Sequence, residues 1–239
     1  MFLGLFAGVL GTASGGLFSF LLWKPRRRLL SLLLGLSAGI MLVIIFMELL
    51  SESVSIGGLW MGLIGLTSGI LLLYCLDLYF PHQHFTVEEG QKSRLRQAGI
   101  LLGIGIALHN VPEGLAIGSS YYADAGFGLD IAIIMALHNV PEGIAMATTM
   151  KMGGFRNLTI ILATVVAGLP MAFGGAAGAL VGSISPTFLS ISLAFAAGAM
   201  LYIVCDELIP EAHNSSEGHS ATLGVVFGVI AGMFILSIQ

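Results

Sequence analysis

Long apolar runs separated by short polar segments are the feature that most constrains the fold of this chain. A helical crossing of a lipid bilayer needs about 20 mainly apolar residues, and the runs here are continuous and rich in glycine. The strands of a membrane barrel would instead alternate apolar and polar residues in segments of about ten. Only 9% of the 239 residues are charged, whereas a soluble domain carries about a quarter. We therefore predict an all-α integral membrane protein.

Polar punctuation divides these runs into eight predicted spans within a single transmembrane domain that covers residues 1–239. The spans lie near residues 2–22, 29–50, 57–79, 98–118, 127–150, 157–181, 187–209 and 221–238. A Ser/Gly patch at 51–58 separates the second span from the third. An even number of spans puts both termini on one side of the membrane.

Cys75 and Cys205 each lie inside an apolar run without a CxxC partner, which predicts core packing for both.

The basic residues predict the orientation. All nine Lys and Arg residues fall in the loops that follow the first, third and fifth spans, at positions 24, 26, 27, 28, 92, 94, 96, 151 and 156. Because Lys and Arg concentrate in cytoplasmic loops, we expect both termini to lie outside the cytoplasm, in a protein integral to the plasma (inner) membrane. The net charge of −4 does not indicate nucleic-acid binding.

One eight-residue motif occurs twice. Ala-Leu-His-Asn-Val-Pro-Glu-Gly at 107–114 recurs letter for letter at 136–143, an offset of 29 residues. The two copies lie on the fourth and fifth spans, which run in opposite directions. Each histidine is about eleven residues from the start of its span, so we expect His109 and His138 to lie near the middle of the hydrocarbon layer.

A weaker repeat has an offset of 159 residues. Residues 38–42 resemble residues 197–201, and the similarity continues as Glu48 with Glu207 and Glu52 with Glu211. The partners are five span positions apart, which is an odd number, so the two copies have inverted topology, which is typical of transporters. This predicts a 3+2+3 arrangement in which spans 1–3 match spans 6–8. The alternative is a chance match between helices rich in Gly, Ala and Leu.

The twin motif presents metal-ligating side chains in duplicate. Residues four apart share one face of a helix, so His109 with Glu113, and His138 with Glu142, each pair an imidazole with a carboxylate. Together they offer four ligands of a kind that suits zinc and other first-row divalent ions. Asn110 and Asn139 add amide oxygens that widen the site or supply a second one. Pro112 and Pro141 lie between the ligands, and each frees a backbone carbonyl one turn back.

Three other interpretations compete with metal transport. The buried polar groups could bond the helices together, but four ionisable groups at mid-membrane are costly unless they serve a function. The ligands could hold a catalytic zinc in an intramembrane hydrolase, although the zinc-protease helices read His-Glu-x-x-His or His-x-x-Glu-His and both segments here read His-x-x-x-Glu. The carboxylates could also relay protons in a proton-driven carrier of another solute.

With these motifs the chain resembles the ZIP (Zrt/Irt-like) metal-permease family, and within it the bacterial zinc-transporter branch. The resemblance also includes Phe-Ala-Ala-Gly-Ala-Met at 195–200 and Asp-Glu-Leu-Ile-Pro-Glu at 206–211. It implies eight spans, outward termini, and transport of Zn²⁺ into the cytoplasm by alternating access, without enzymatic activity or a fixed cofactor. Zn²⁺ would be the transported substrate, and the sequence does not rank it against Fe²⁺, Mn²⁺, Cd²⁺ or Co²⁺. A homodimer is compatible with the sequence and is not required by it.

The resemblance also implies roles for the motif residues. His109, Glu113, His138 and Glu142 would hold the ion, and Asn110 and Asn139 would face an adjacent second position. Many relatives complete that second position with a carboxylate on span 6, in a pattern like Gly-Leu-Ala-Glu-Pro. Here residues 168–172 read Gly-Leu-Pro-Met-Ala, so Met171 replaces the acid. We therefore expect one dependable site and a weak second position, with Met171 a packing residue or a soft ligand.

Further acids and histidines lie near the ends of spans. The acids on spans 2 and 7 lie near opposite membrane boundaries and, with His213, could guide the ion to and from the site, although acids at helix ends are often only solvated; they are Glu48, Glu52, Asp206, Glu207 and Glu211. His82 and His84, in the loop after the third span, could capture or sense metal in the cytoplasm.

Overall fold

Every regular element in the described part of the chain is a helix. The computed structural model describes residues 2–21, 27–79 and 91–237. The elements in chain order are α1 (Phe2–Leu21), α2 (Arg27–Val43), a first π-helical segment (Ile44–Leu49), α3 (Leu50–Tyr79), α4 (Gln91–Ala123), α5 (Ala125–Met152), α6 (Asn157–Gly168), α7 (Pro170–Gly182), α8 (Pro186–Ile203), a second π-helical segment (Val204–Leu208), α9 (Ile209–Ser215) and α10 (Ser220–Ser237).

Six helical runs within the described ranges are long and apolar enough to cross a membrane. They are Phe2–Leu21, Arg28–Cys75, Ala125–Met152, Asn157–Gly182, Pro186–Ser215 and Ser220–Ser237. Large apolar side chains cover the outer surface of the bundle, where Phe2, Trp60 and Phe173 are among the most exposed. This is the surface that lipid would contact, so the prediction of an all-helical membrane protein is confirmed at this level.

The run Arg28–Cys75 contains the span predicted at 29–50 and most of the span predicted at 57–79. The Ser/Gly patch predicted to separate them remains helical up to residue 57, and the chain leaves helical geometry only at Gly58, where φ is 76° and ψ is 169°. A helix satisfies its own backbone hydrogen bonds, so small polar residues alone do not end one in a membrane. A glycine can adopt the backbone conformation that ends the helix here.

Local sequence explains several helix ends. The Asp124 carboxylate accepts a hydrogen bond of 2.9 Å from the backbone N–H of Phe127 and begins α5. Ser185 caps α8 in the same way, with Pro186 in the first turn. The sixth predicted span, 157–181, divides into α6 and α7 because Pro170 has no N–H to continue the ladder.

The two π-helical segments were not predicted from the sequence. Ile44–Leu49 follows α2 and contains Glu48, and Val204–Leu208 follows α8 and contains Glu207. A π-helical turn holds one more residue than an α-helical turn, and such turns are frequent at functional sites. Each segment therefore places an acidic residue in a π-helical turn near the end of a long helix.

The helices pack in two groups. In the first group, α4 packs along α7 and α1 packs along α5, with α4 and α5 side by side. In the second group, α3 packs along α8 and α2 packs along α10. The two groups meet where α4 contacts α8 and α2 contacts α5. This boundary passes beside the helices that carry the twin motif.

Glycines let the helices approach closely at these interfaces. Gly39 packs against the carbonyl oxygen of Val225, and Gly198 packs against that of Leu66, so a Cβ at either glycine would overlap backbone. Small residues allow this kind of contact between membrane helices. The interfaces between α2 and α10 and between α3 and α8 are thus built in the same way.

In the first helix group, Gly15 packs against the Val140 carbonyl oxygen and Gly174 against that of Val111. The interfaces between α1 and α5 and between α4 and α7 therefore also match each other.

The two cysteines are free and exposed rather than buried, so the prediction that they pack in the core is wrong. Apolar surface on a membrane helix can face lipid, and an apolar run alone does not say which side of the helix is buried.

Candidate metal centre

The twin motif lies at the centre of the first helix group. The six polar side chains of the motif copies on α4 and α5 are all buried: His109 is 4% exposed and the other five are at most 1% exposed. Pro112 and Pro141 are buried as well, and both helices continue through them. Side chains of this type are rare in the interior of a membrane bundle and usually mark a functional site.

Three of the four predicted ligands converge on one point. Each of Glu113, His138 and Glu142 offers a ligand atom, and these atoms lie within 4.8 Å of one another. The Nε2 atom of His138 is 3.0 Å from Oε1 of Glu113, within hydrogen-bonding distance across the interface between α4 and α5. One imidazole and two carboxylates from two helices therefore surround a space that a single divalent ion could occupy.

The fourth predicted ligand has a different neighbour. Nε2 of His109 lies 2.5 Å from Oε2 of Glu207, a contact that is an ion pair by distance and lacks the alignment of a hydrogen bond. Glu207 belongs to the second π-helical segment, so this contact joins the two helix groups. The carboxylates of Glu142 and Glu113 also interact electrostatically with the His109 ring. His109 is thus beside the cluster but turned toward Glu207.

Several polar atoms in the cluster have no hydrogen-bond partner among the described residues. They are both carboxylate oxygens of Glu142 and Oε2 of Glu113. A buried carboxylate without a partner is energetically costly. A divalent cation would compensate both carboxylates at once, and imidazole nitrogen with carboxylate oxygen suits zinc.

The two motif asparagines contact each other next to this cluster. Nδ2 of Asn139 donates to Oδ1 of Asn110 at 3.3 Å, and Nδ2 of Asn110 donates to the Ala167 carbonyl oxygen at 2.8 Å. Met171, one turn beyond Ala167, is fully buried in the apolar core. In this arrangement Oδ1 of Asn110 already accepts a hydrogen bond, and only Oδ1 of Asn139 has no partner among the described residues.

A serine of the second helix group supports the His138 backbone. The Ser37 hydroxyl on α2 donates to the His138 carbonyl oxygen at 3.0 Å, and both residues are buried. Sequence reasoning missed Ser37, since a single serine in an apolar span gives no signal. It included Glu207 among residues that could guide the ion, because the acids on spans 2 and 7 lie near the predicted membrane boundaries, but did not predict that Glu207 reaches His109.

The remaining predicted residues lie away from the cluster. Glu48 and Glu52 are half-buried at the end of the first π-helical segment and the start of α3. Asp206, Glu211 and His213 are exposed; Nδ1 of His213 is 2.8 Å from the Ile209 carbonyl oxygen. The predicted loop histidines, His82 and His84, lie outside the described residues.

Comparison with known proteins gives one consistent result. A family model described as ZIP Zinc transporter matches residues 81–238, which include both motif copies. A protein named Zinc transporter ZupT from Escherichia coli O127:H6 is 36% identical over the whole of this chain and 92% of its own length. Proteins of the same name from E. coli strains O7:K1 and K12 are each 35% identical over the same shares.

Proposed function

The chain belongs to the ZIP zinc transporter family, and from that premise we propose that it carries Zn²⁺ across the membrane on the buried cluster of Glu113, His138 and Glu142. The observation that carries this proposal is the Glu142 carboxylate, which is buried beside a second carboxylate without a hydrogen-bond partner among the described residues. His109 would complete the ligand set when it turns from Glu207 toward the cluster.

The ligand set suits a transported ion better than a resident one. Imidazole and carboxylate bind zinc firmly enough to replace its water, yet without the thiolates of tight structural sites. A transported ion must also be released on the far side. We propose Zn²⁺ as the substrate and not as a fixed cofactor, and Fe²⁺, Mn²⁺, Cd²⁺ and Co²⁺ as ions that the same ligands accept with different affinities.

We also propose the 3+2+3 architecture of eight spans in one domain over residues 1–239. The glycine contacts support it, because the offset of 159 that relates Gly39 to Gly198 also relates Leu66 to Val225, the residues that these glycines contact. Likewise Gly15 is related to Gly174 by 159, and Val111 is related to Val140 by 29. One inverted repeat would produce all four contacts.

The packing suggests how the ion would cross. The site lies in the first helix group, and the side-chain links between the described residues of the two groups include His109 with Glu207, Ser37 with His138 and Ser119 with Ser192. We propose alternating access in which the first group moves against the second. The distribution of Lys and Arg supports termini outside the cytoplasm, and we propose uptake as the net direction because the family resemblance implies it.

We propose that the second metal position is weak. The asparagine amides bond to each other and to the Ala167 carbonyl oxygen, and the adjacent position on α7 is an apolar methionine, Met171. Two amide oxygens without a carboxylate are a poor site for a hard or borderline divalent ion. One ion for each chain is therefore the expected stoichiometry.

Uptake of radiolabelled zinc into vesicles reconstituted with the purified protein tests the proposal. Wild-type protein should transport zinc, and the double variant His109→Ala, His138→Ala should not, while Glu217→Gln, which alters an exposed loop acid, should behave as wild type. Full flux in the double variant would contradict the assigned site. Cleavage of a peptide or lipid by vesicles that show no zinc flux would favour the hydrolase.

A further inference from the structure

The two histidines of the twin motif have unlike partners although their sequence surroundings are identical. His138 contacts Glu113, which lies in its own helix group, at 3.0 Å. His109 contacts Glu207, which lies in the other helix group, at 2.5 Å. The described conformation is therefore asymmetric at the one place where the sequence is a perfect repeat.

The repeat assigns each of these residues a counterpart. The offset of 29 relates His109 to His138 and Glu113 to Glu142, and the offset of 159 relates Glu48 to Glu207. The two π-helical segments, Ile44–Leu49 and Val204–Leu208, occupy matching positions under the same offset of 159.

The two offsets belong to a single spatial relation. The offset of 159 relates Gly15 to Gly174, and the offset of 29 relates Val140 to Val111. Gly15 contacts Val140, and Gly174 contacts Val111, so the two offsets together turn one contact into the other. The contact of Gly143 with the Thr12 carbonyl oxygen becomes that of Gly114 with the Met171 carbonyl oxygen in the same way. The relation can therefore be applied to the histidine contacts as well.

Under this relation, the contact of His109 with Glu207 maps onto His138 with Glu48. The contact of His138 with Glu113 maps onto His109 with Glu142. Neither mapped contact is present among the described residues, in which both Glu142 oxygens lack a hydrogen-bond partner and Glu48 is half-buried. Glu142 interacts electrostatically with both histidines but makes no hydrogen bond to either of them in the described part of the chain.

We propose that the two histidines exchange partners during transport: in the opposite conformation Glu48 binds His138 and Glu142 binds His109, while Glu207 and Glu113 are released. The proposal rests on the alternating access proposed above, and it assigns Glu48 as the counterpart of Glu207 at the other mouth of the site. Glu48 is then a positioning residue that selects the conformation and not a resident ligand.

The exchange has a physical basis. A buried imidazole and a buried carboxylate are each stabilised by the other, so a cycle that keeps each histidine paired in both end states avoids leaving one uncompensated. One cluster carboxylate is unpaired in each state, Glu142 in the described state and Glu113 in the other. The ion thus meets an available carboxylate on whichever side the site faces.

The required displacement is along the helix. Glu48 interacts electrostatically with Asp130, which lies two turns before His138 on the same helix, α5. At 1.5 Å for each residue, Asp130 and His138 are about 12 Å apart along the axis. A sliding movement of the first helix group by roughly this distance would bring His138 to Glu48 and carry His109 away from Glu207.

Cross-linking of two matched cysteine pairs tests the exchange in membrane vesicles, in a background that carries Cys75→Ser and Cys205→Ser. The reference pair is Gly105→Cys with Glu207→Cys, because a Cβ at Gly105 would lie 3.6 Å from Glu207 Oε2. The same two offsets give the test pair, Ile134→Cys with Glu48→Cys. Mercury(II), which bridges nearby thiols, is the probe.

We expect both pairs to cross-link. Adding Glu207→Gln to the test pair removes the contact of His109 with Glu207, which stabilises the described conformation. The opposite conformation is then more populated, so the test pair should cross-link about fivefold faster or more. Adding Glu48→Gln to the reference pair should accelerate that pair in turn. Cross-linking of the reference pair alone, with none in the test pair, would overturn the exchange.

Transport by single variants gives an independent measure that does not depend on cysteines. Glu48→Gln should lower the maximal rate of zinc uptake by about fivefold or more, Glu48→Asp should restore part of it, and Glu217→Gln should leave it unchanged. Wild-type rates in Glu48→Gln would count against the exchange. Absence of zinc flux in wild-type vesicles would instead reject the proposed function, so the two failures are distinguishable.

Discussion

Glu113 and His138 contact each other at 3.0 Å from two helices that run in opposite directions, and both side chains are shielded from solvent. The contact joins one motif copy to the other, so residues from both copies share one buried cluster. A divalent ion at this point would replace a hydrogen bond with two coordinate bonds. The negative charge of Glu113 and Glu142 then becomes the main source of affinity.

Removing either charge should therefore weaken zinc binding. Glu113→Gln and Glu142→Gln keep the size of the side chain and lose one negative charge, and we expect each to raise the dissociation constant by about tenfold to a hundredfold. Competition with a chromophoric zinc chelator in detergent measures this, with Glu217→Gln as the control. Unchanged affinity in both site variants would show that zinc binds elsewhere.

Ser37→Ala should destabilise the contact between the helix groups. The Ser37 hydroxyl donates to the His138 carbonyl oxygen from the other group, and such hydrogen bonds in membrane proteins contribute about 0.6 kcal/mol on average. We expect a small drop in unfolding temperature and a change in the rate of zinc uptake. Ser14→Ala is the matched control, since Ser14 bonds to the Gly11 carbonyl oxygen within its own helix. Equal effects of the two variants would contradict a role between the groups.

The sequence predicted the helical membrane fold and the His and Glu pairing on one helix face because both depend on local pattern. The apolar runs fix the class of fold, and the spacing of His109 and Glu113 fixes one face of a helix. The offset of 29 also predicted correctly that spans 4 and 5 meet, which places Glu113 beside His138.

The remaining features depend on contacts between distant segments. The π-helical segments have no known signature in the sequence here, and Glu207, which contacts His109, lies in one of them. The break after residue 57 depends on the backbone of one glycine, Gly58, and not on the polarity of the patch around it. The exposure of Cys75 and Cys205 depends on which side of each helix faces lipid.

Gly58→Ala should reduce stability through backbone strain alone. The φ of 76° and ψ of 169° at Gly58 are accessible almost only to glycine, and a Cβ there would meet no atom within 4 Å. The expected cost is about 1–3 kcal/mol in the free energy of unfolding. Gly105→Ala is the control, because its Cβ would make one ordinary contact, at 3.6 Å from Oε2 of Glu207. Gly105 also lies inside a helix, where alanine is favoured over glycine by about 1 kcal/mol.

Unfolding in a graded mixture of detergent and denaturant measures both glycine variants. Gly58→Ala should unfold at a lower denaturant concentration than wild type, and Gly105→Ala at the same or a higher one. A Gly58→Ala variant as stable as wild type would mean that the chain takes another path between the second and third spans.

Met171→Glu should create a second metal position. Asn110 bonds to the Ala167 carbonyl oxygen one turn before Met171, and Oδ1 of Asn139 has no partner among the described residues. A carboxylate at position 171 would add the charge that two amide oxygens lack, and a divalent ion would in turn compensate a carboxylate that is otherwise costly to bury. We expect zinc bound by equilibrium dialysis to rise from one ion to two for each chain.

Two further substitutions at the same position separate charge from size. Met171→Gln has nearly the volume of the glutamate without its charge and should bind one ion. Met171→Leu removes the thioether, and unchanged zinc affinity is expected if Met171 only packs in the core. Weaker binding in Met171→Leu would identify the sulfur as a ligand, because leucine fills the same space and differs chiefly in the atom that could coordinate the ion.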